Sequence, residues 1–167
     1  MPTKQRRYAV KAKEAKQILT EAQARVKLDL NALFGAKVNV EVAESELGSI
    51  YLIGGKPLFF KAGDKVLPTL LFTEFTAKAP KIVVDMGAVP YVCKGADVMA
   101  PGIVRIEGKF GKGDLVLVVD VKFGKALALG ESLMDAETAK ATKKGPIVKT
   151  LHYVGDKIWD YTKTLSE

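Results

Sequence analysis

The spacing of apolar residues changes twice along this chain. From Ala9 to Phe34, apolar positions (Ala15, Ile18, Leu19, Ala22, Val26, Leu30, Leu33) recur every three or four residues, which predicts one long helix with a single apolar stripe. Gly35 is placed to stop it. From Lys37 to Ala43 the period drops to two. Val38, Val40 and Val42 alternate with Lys37, Asn39 and Glu41, as a half-buried strand requires. Ser49–Ile53 and Pro57–Lys61 flank Gly54-Gly55-Lys56 and predict a hairpin. Val66 to Phe75 is apolar nearly throughout, and Pro68 suits the first turn of a short helix.

Beyond Pro80 the pattern is one of short strands. Ile82-Val83-Val84 reads as a buried strand, Asp85 can cap a short helix ending at Val92, and two glycine-bearing turns follow, Gly95-Ala96-Asp97 and Ala100-Pro101-Gly102. Ile103–Glu107, Leu115–Val121, Ala126–Gly130, Ile147–Val154 and Ile158–Tyr161 read as further strands, and Asp135–Lys140 as one small helix with acids at its front. Regular turns between short strands predict a closed barrel. The fold class expected is an α+β domain over residues 1–79 followed by a small, mostly-β pseudo-barrel over 80–167, with the boundary at Ala77-Lys78-Ala79-Pro80.

Composition narrows the function classes. Apolar residues make up 48% and charged residues 27%, an ordinary globular balance with enough chain for a core. No apolar run approaches a membrane span, and the basic start Met1–Tyr8 has no apolar segment behind it, so a cytoplasmic protein is expected. The net charge is +7. Residues 1–80 hold 13 Lys and Arg against 8 Asp and Glu, and residues 81–167 hold 13 against 11, so the excess lies at the front, in Lys4, Arg6, Arg7, Lys11, Lys13 and Lys16. Such a charge fits a polyanionic partner and also fits a merely lysine-rich protein.

Catalytic chemistry is poorly provided for. Cys93 and His152 are each the sole residue of their type, which excludes an intramolecular disulfide and most metal and nucleophile–base sets. Asp85 and Asp114 sit where turn capping explains them, and Asp97 suits a bracing role in its turn. Gly54-Gly55-Lys56 is followed by Pro57 and lacks the spacing of a phosphate loop. No enzyme activity, cofactor or metal is expected.

Gly95 and Gly102 mark backbone that passes close to something. Packing of two turns and approach of a phosphodiester chain account for them equally. Lys94, Lys109, Lys112, Lys122, Lys125 and Lys149 lie in or beside the turns of the second domain and can supply phosphate contacts. Tyr91, Tyr153 and Trp159 can stack on bases, though each is a plausible core aromatic.

Lys94-Gly-Ala-Asp-Val-Met-Ala-Pro-Gly-Ile103 resembles the signature segment of the PUA domain, the RNA-binding module named for pseudouridine synthases and archaeosine transglycosylases. The likeness continues through Gly113-Asp114 and through Gly124–Gly130. Gly54–Lys61, Val66–Leu70, Val84–Ala88 and Leu151–Trp159 extend it to the translation-associated family named for multiple copies in T-cell lymphoma, and the short turn at Pro101-Gly102 is similar to its archaeal stand-alone members. The resemblance implies RNA running along Lys94, Gly95, Ala96, Asp97, Ala100, Pro101, Gly102 and Ile103, with Lys109, Lys122, Lys125, Lys149 and Tyr153 beside it. It implies ribosomal or transfer RNA as partner, the small ribosomal subunit as the place of action in initiation or recycling, and a translation-factor partner such as the density-regulated protein. Two alternatives stand beside this: an accessory RNA-binding subunit of an RNA- or tRNA-modification enzyme, and a module that binds only protein.

Overall fold

The computed structural model describes residues 5–166; Lys4, at the front of the basic segment, lies outside them. The chain forms two compact units, residues 1–75 with 157–167, and residues 76–156. The second unit is thus inserted into the sequence of the first. The sequence passes from one unit to the other at residues 75 and 76 and back at 156 and 157.

In the first unit, β1 (Arg6–Ala9), β2 (Val40–Ser45), β3 (Gly48–Ile53), β4 (Lys56–Ala62) and β5 (Lys65–Pro68) form one antiparallel sheet in chain order. The single long helix expected at the front is two. α1 (Ala12–Val26) ends at Lys27, whose φ of 56° is left-handed, and α2 (Leu30–Phe34) begins where Asp29 accepts the Ala32 N–H at 3.1 Å. The apolar stripe survives the break because Ala15, Ile18, Ala22, Val26 and Leu30 all stay buried. Pro68 ends β5 instead of opening a helix, and α3 (Thr73–Lys78) starts later. Phe72 anchors this unit: it is fully buried, with its ring 5.2 Å from Phe59 and 5.9 Å from Phe34.

Ile158–Tyr161, expected as a strand, belongs to a helix at Lys157–Leu165 that contacts β3 and β4. Four residues cannot separate the two periodicities; the helix wins because it buries Tyr161 and Thr162 together.

The second unit is a six-stranded sheet built from β6 (Lys81–Val84), β7 (Val98–Met99), β8 (Ile103–Glu107), β9 (Leu115–Asp120), β10 (Ala126–Ser132) and β11 (Pro146–Tyr153), in the order β7-β11-β10-β9-β6-β8. Only β6 and β9 run parallel. The two edge strands, β7 and β8, are consecutive in the chain, joined by one 3-10 turn at Ala100–Gly102. A sheet whose opposite edges lie three residues apart must curl back on itself. It is a half-barrel joined by a turn, the small mostly-β pseudo-barrel expected after an α+β first unit. Ile82, Val84, Val116, Val118, Ala128 and Val148 fill it. α4 (Val89–Val92) packs against the inner strand β10 and α5 (Ala136–Ala141) against the edge strand β8, with Asp135 capping α5 through the Thr138 N–H at 2.7 Å.

Candidate nucleic-acid interface

β6 and β9 end side by side, with Val84 opposite Asp120, so the segments leaving these two strands share one end of the half-barrel. β6 runs into Asp85, whose Oδ1 accepts the Ala88 N–H at 2.9 Å and turns the chain into α4. The Asp85 N–H donates to the Gly102 carbonyl at 2.9 Å, which ties the 3-10 turn to the same spot. A Cβ at Gly102 would stand 3.1 Å from that of Ala88, so the two segments are in contact.

Beyond α4 the chain needs glycine for two reasons. Gly95 has φ of 90°, and a Cβ there would lie 2.8 Å from Cε1 of Tyr153. The Tyr153 ring therefore lies against the turn. Thr150 holds the next two residues: its hydroxyl donates to the Ala96 carbonyl at 2.9 Å, and Asp97 Oδ1 accepts its N–H at 3.2 Å. Lys94, Ala96, Asp97, Met99 and Pro101 remain exposed on this braced turn, while Gly95, Ala100, Gly102 and Ile103 are half-buried. A groove of about 320 Å³ runs beside it, lined by Asp85, Gly87, Tyr91, Met99 and Pro101.

The β9–β10 hairpin completes this end. The Val121 N–H donates to the Val84 carbonyl at 2.9 Å. The Asp120 side chain accepts the N–H of Phe123 and that of Lys125, while the Asp120 carbonyl takes the Gly124 N–H at 3.0 Å. These amides, that of Phe123 foremost, hold the Asp120 carboxyl below the usual carboxylate range. With the acid turned inward at 3% exposure, the tip presents Lys122, Phe123 and Lys125 outward. The ammonium groups of Lys122 and Lys125 lie 5.2 and 6.0 Å from the centre of the Phe123 ring. Among the described residues, Lys94, Lys122 and Lys125 form no ion pair.

The structure thus gathers Lys94 to Ile103, Lys122, Lys125 and Tyr153 at one end of the unit. Lys149 stands exposed on β11, opposite Glu131 and next to Thr150. Lys109 is apart from them, since Gly108 packs on Pro80 at the opposite end of β6. Of the aromatic candidates, Tyr91 is 67% exposed and lines the groove, whereas Trp159 lies half-buried in the first unit beside Lys163. Sequence reasoning passed over Phe123, which is 64% exposed. Its signal is an aromatic inside a Lys-Phe-Gly-Lys turn, where no strand alternation places it toward the core.

The chemically capable residues are otherwise occupied. Burial pushes the Cys93 thiol up. His152, almost fully buried, has Nδ1 at 2.8 Å from Asp156 Oδ2, which also accepts the Tyr153 N–H. Asp114 accepts the Gly111 N–H at 2.8 Å. Among the described residues no three of His, Cys, Asp and Glu are grouped to hold a metal ion, and no helix is long and apolar enough to cross a membrane.

Comparison with known proteins matches two families along the chain. Residues 80–154 match the PUA domain, and residues 6–74 match a domain of unknown function, DUF1947. Translation machinery-associated protein 20 of Saccharomyces cerevisiae is 30% identical over 80% of this chain and 78% of its own length. This chain belongs to the family of that protein and human malignant T-cell-amplified sequence 2. An uncharacterized member from Methanocaldococcus jannaschii is 38% identical over 93% of this chain and 96% of its own. The fold is also that of a PUA-domain protein from Aeropyrum pernix, whose crystal structure superposes with a TM-score of 0.85 over 99% of this chain and 95% of that one, at 23% identity.

Proposed function

We propose that this protein is a non-catalytic RNA-binding protein of translation that acts in the cytoplasm at the small ribosomal subunit, in initiation or recycling. The observation that carries the reading is the end of the half-barrel. There a braced stretch of chain from Lys94 to Ile103, exposed at Lys94, Ala96, Asp97, Met99 and Pro101, lies beside Lys94, Lys122 and Lys125, which form no ion pair. Cations that form no internal ion pair supply phosphate contacts, and backbone held open by glycine lets a nucleotide chain approach closely. Membership in a family whose yeast representative is named as translation machinery-associated supports the setting. The burial of the Cys93 thiol and the hydrogen bonds held by His152 and Asp114 support a binding role without chemistry.

In this reading Lys94, Gly95, Ala96, Ala100, Pro101, Gly102 and Ile103 meet RNA, Lys122 and Lys125 flank it, and Lys149 lies at its margin. Asp97 and Tyr153 support the turn from behind. Lys109 meets RNA only if the strand runs the length of the sheet.

The test is binding of the purified protein to small-subunit ribosomes and to free transfer RNA at low and moderate salt, with a Lys94→Glu, Lys122→Glu double variant alongside. Salt-sensitive subunit binding that the variant loses, with poor transfer RNA binding, supports the proposal. Tight binding to transfer RNA alone points instead to an accessory subunit of a modification enzyme. Binding to neither overturns both.

A further inference from the structure

Phe123 is held out, not left out. The carboxylate of Asp120, itself 3% exposed, is bonded to the Phe123 and Lys125 amides, and the left-handed Gly124 (φ 66°) closes the turn behind the ring. An apolar ring kept 64% exposed by such a turn is presented to a ligand, because a flexible turn would let it fold back onto the exposed Val121 beside it. The two ammonium groups within 6.0 Å of the ring centre specify the kind of ligand: one with a flat apolar face and negative charge next to it. A nucleotide has both. The same end of the unit offers a second exposed ring, Tyr91, and a third free cation, Lys94, as a strand of several nucleotides requires. A bilayer surface also takes aromatic and lysine side chains, but one phenylalanine on a narrow hairpin offers little area for insertion.

We propose that the tip of the β9–β10 hairpin is a stacking platform for an unpaired nucleobase. Phe123 takes the base, and Lys122 and Lys125 take the phosphates on either side. The inference rests on the RNA-binding reading and makes it specific: this end of the molecule engages single-stranded RNA, or a base splayed from a helix, in preference to a continuous duplex.

The experiment uses the full chain and two fluorescently labelled RNA probes, a single-stranded oligouridine of about ten nucleotides, within the span expected of such channels, and a blunt duplex of equal length. A third probe carries 2-aminopurine, whose fluorescence is quenched on stacking. Phe123→Ala is expected to weaken the single strand about 5- to 150-fold, the range for loss of one base–aromatic stack, and to leave the salt dependence unchanged because no charge is removed. Phe123→Tyr is expected to keep both affinity and quenching, and Phe123→Leu to lose the quenching. Unchanged melting temperatures show that the variants are folded. Single-strand affinity and quenching unaltered in Phe123→Ala, with ribosomal-subunit binding intact, overturns the platform and leaves the RNA reading standing. Failure of the wild type to bind any RNA overturns both. Phe123-dependent binding to phosphatidylserine vesicles with RNA binding unaffected also overturns the platform.

Discussion

A Cβ at Gly130 would lie 2.2 Å from Val148 Cγ1 and 3.2 Å from the Lys149 carbonyl oxygen. Gly130→Ala therefore overpacks the β10–β11 contact and is expected to cost about 1–3 kcal/mol, seen as a lower denaturant midpoint at unchanged slope. Asp120 carries a pH signature. Its folded-state value lies below the ordinary aspartate value of about 3.9, so its stabilisation is fully present above about pH 4 and is lost as pH falls through the folded value. Urea melts between about pH 5 and about pH 2.5 should show wild-type stability falling more steeply than that of Asp120→Asn. Tyr161 is the reverse case: it is buried, and its hydroxyl has no protein hydrogen-bond partner among the described residues. Tyr161→Phe removes an unsatisfied group and is expected to hold or raise the melting temperature. At this scale the sequence discloses residue types and not exposure. Gly95 is readable because only glycine tolerates its backbone, whereas Tyr91 reads equally as a stacking ring and a core ring, and Phe123 gives no sign of its exposure.

The elements were readable where period and length agreed. The β3–β4 hairpin, the β6 to α4 transition and β9 lie where the pattern places them, and β2 (Val40–Ser45) overlaps the alternation read over Lys37–Ala43 but starts later. Errors came where a tertiary contact decides between local options. The break between α1 and α2 leaves the apolar stripe intact, so periodicity cannot show it; Asp29 and the Leu30 N–H bond to Gln23 Oε1 at 2.9 Å make it. Asp29→Ala should lower stability by about 1 kcal/mol, the usual worth of an N-cap, and a urea titration would measure it. An unchanged midpoint would mean that the stripe alone holds α2. Pro68 shows the complementary ambiguity, since a first helical turn and a strand end are equally open to proline; β5 pairs with β4 and takes it.

For the whole molecule, the charge total of +7 was readable and its disposition was not. Part of the basic front is neutralised internally, because Arg7 makes two hydrogen bonds to Glu41, at 3.1 and 3.2 Å. The cations left free at the signature end weigh more than their number. Removing one phosphate contact lowers the slope of log affinity against log salt by about 0.7 for a single strand, so Lys94→Gln and Lys122→Gln should each flatten it by that amount while Lys109→Gln leaves it unchanged. Subunit- or RNA-binding titrations over a salt series decide this. The division of the chain has a consequence for biosynthesis. Because the Lys157–Leu165 helix contacts β3 and β4, the first unit cannot complete its core until residues beyond 156 have left the exit tunnel. Residues 76–156 leave the tunnel ahead of that helix, so the inserted half-barrel has its whole sequence outside before the first unit does, and the first unit waits on a segment that lies beyond the second.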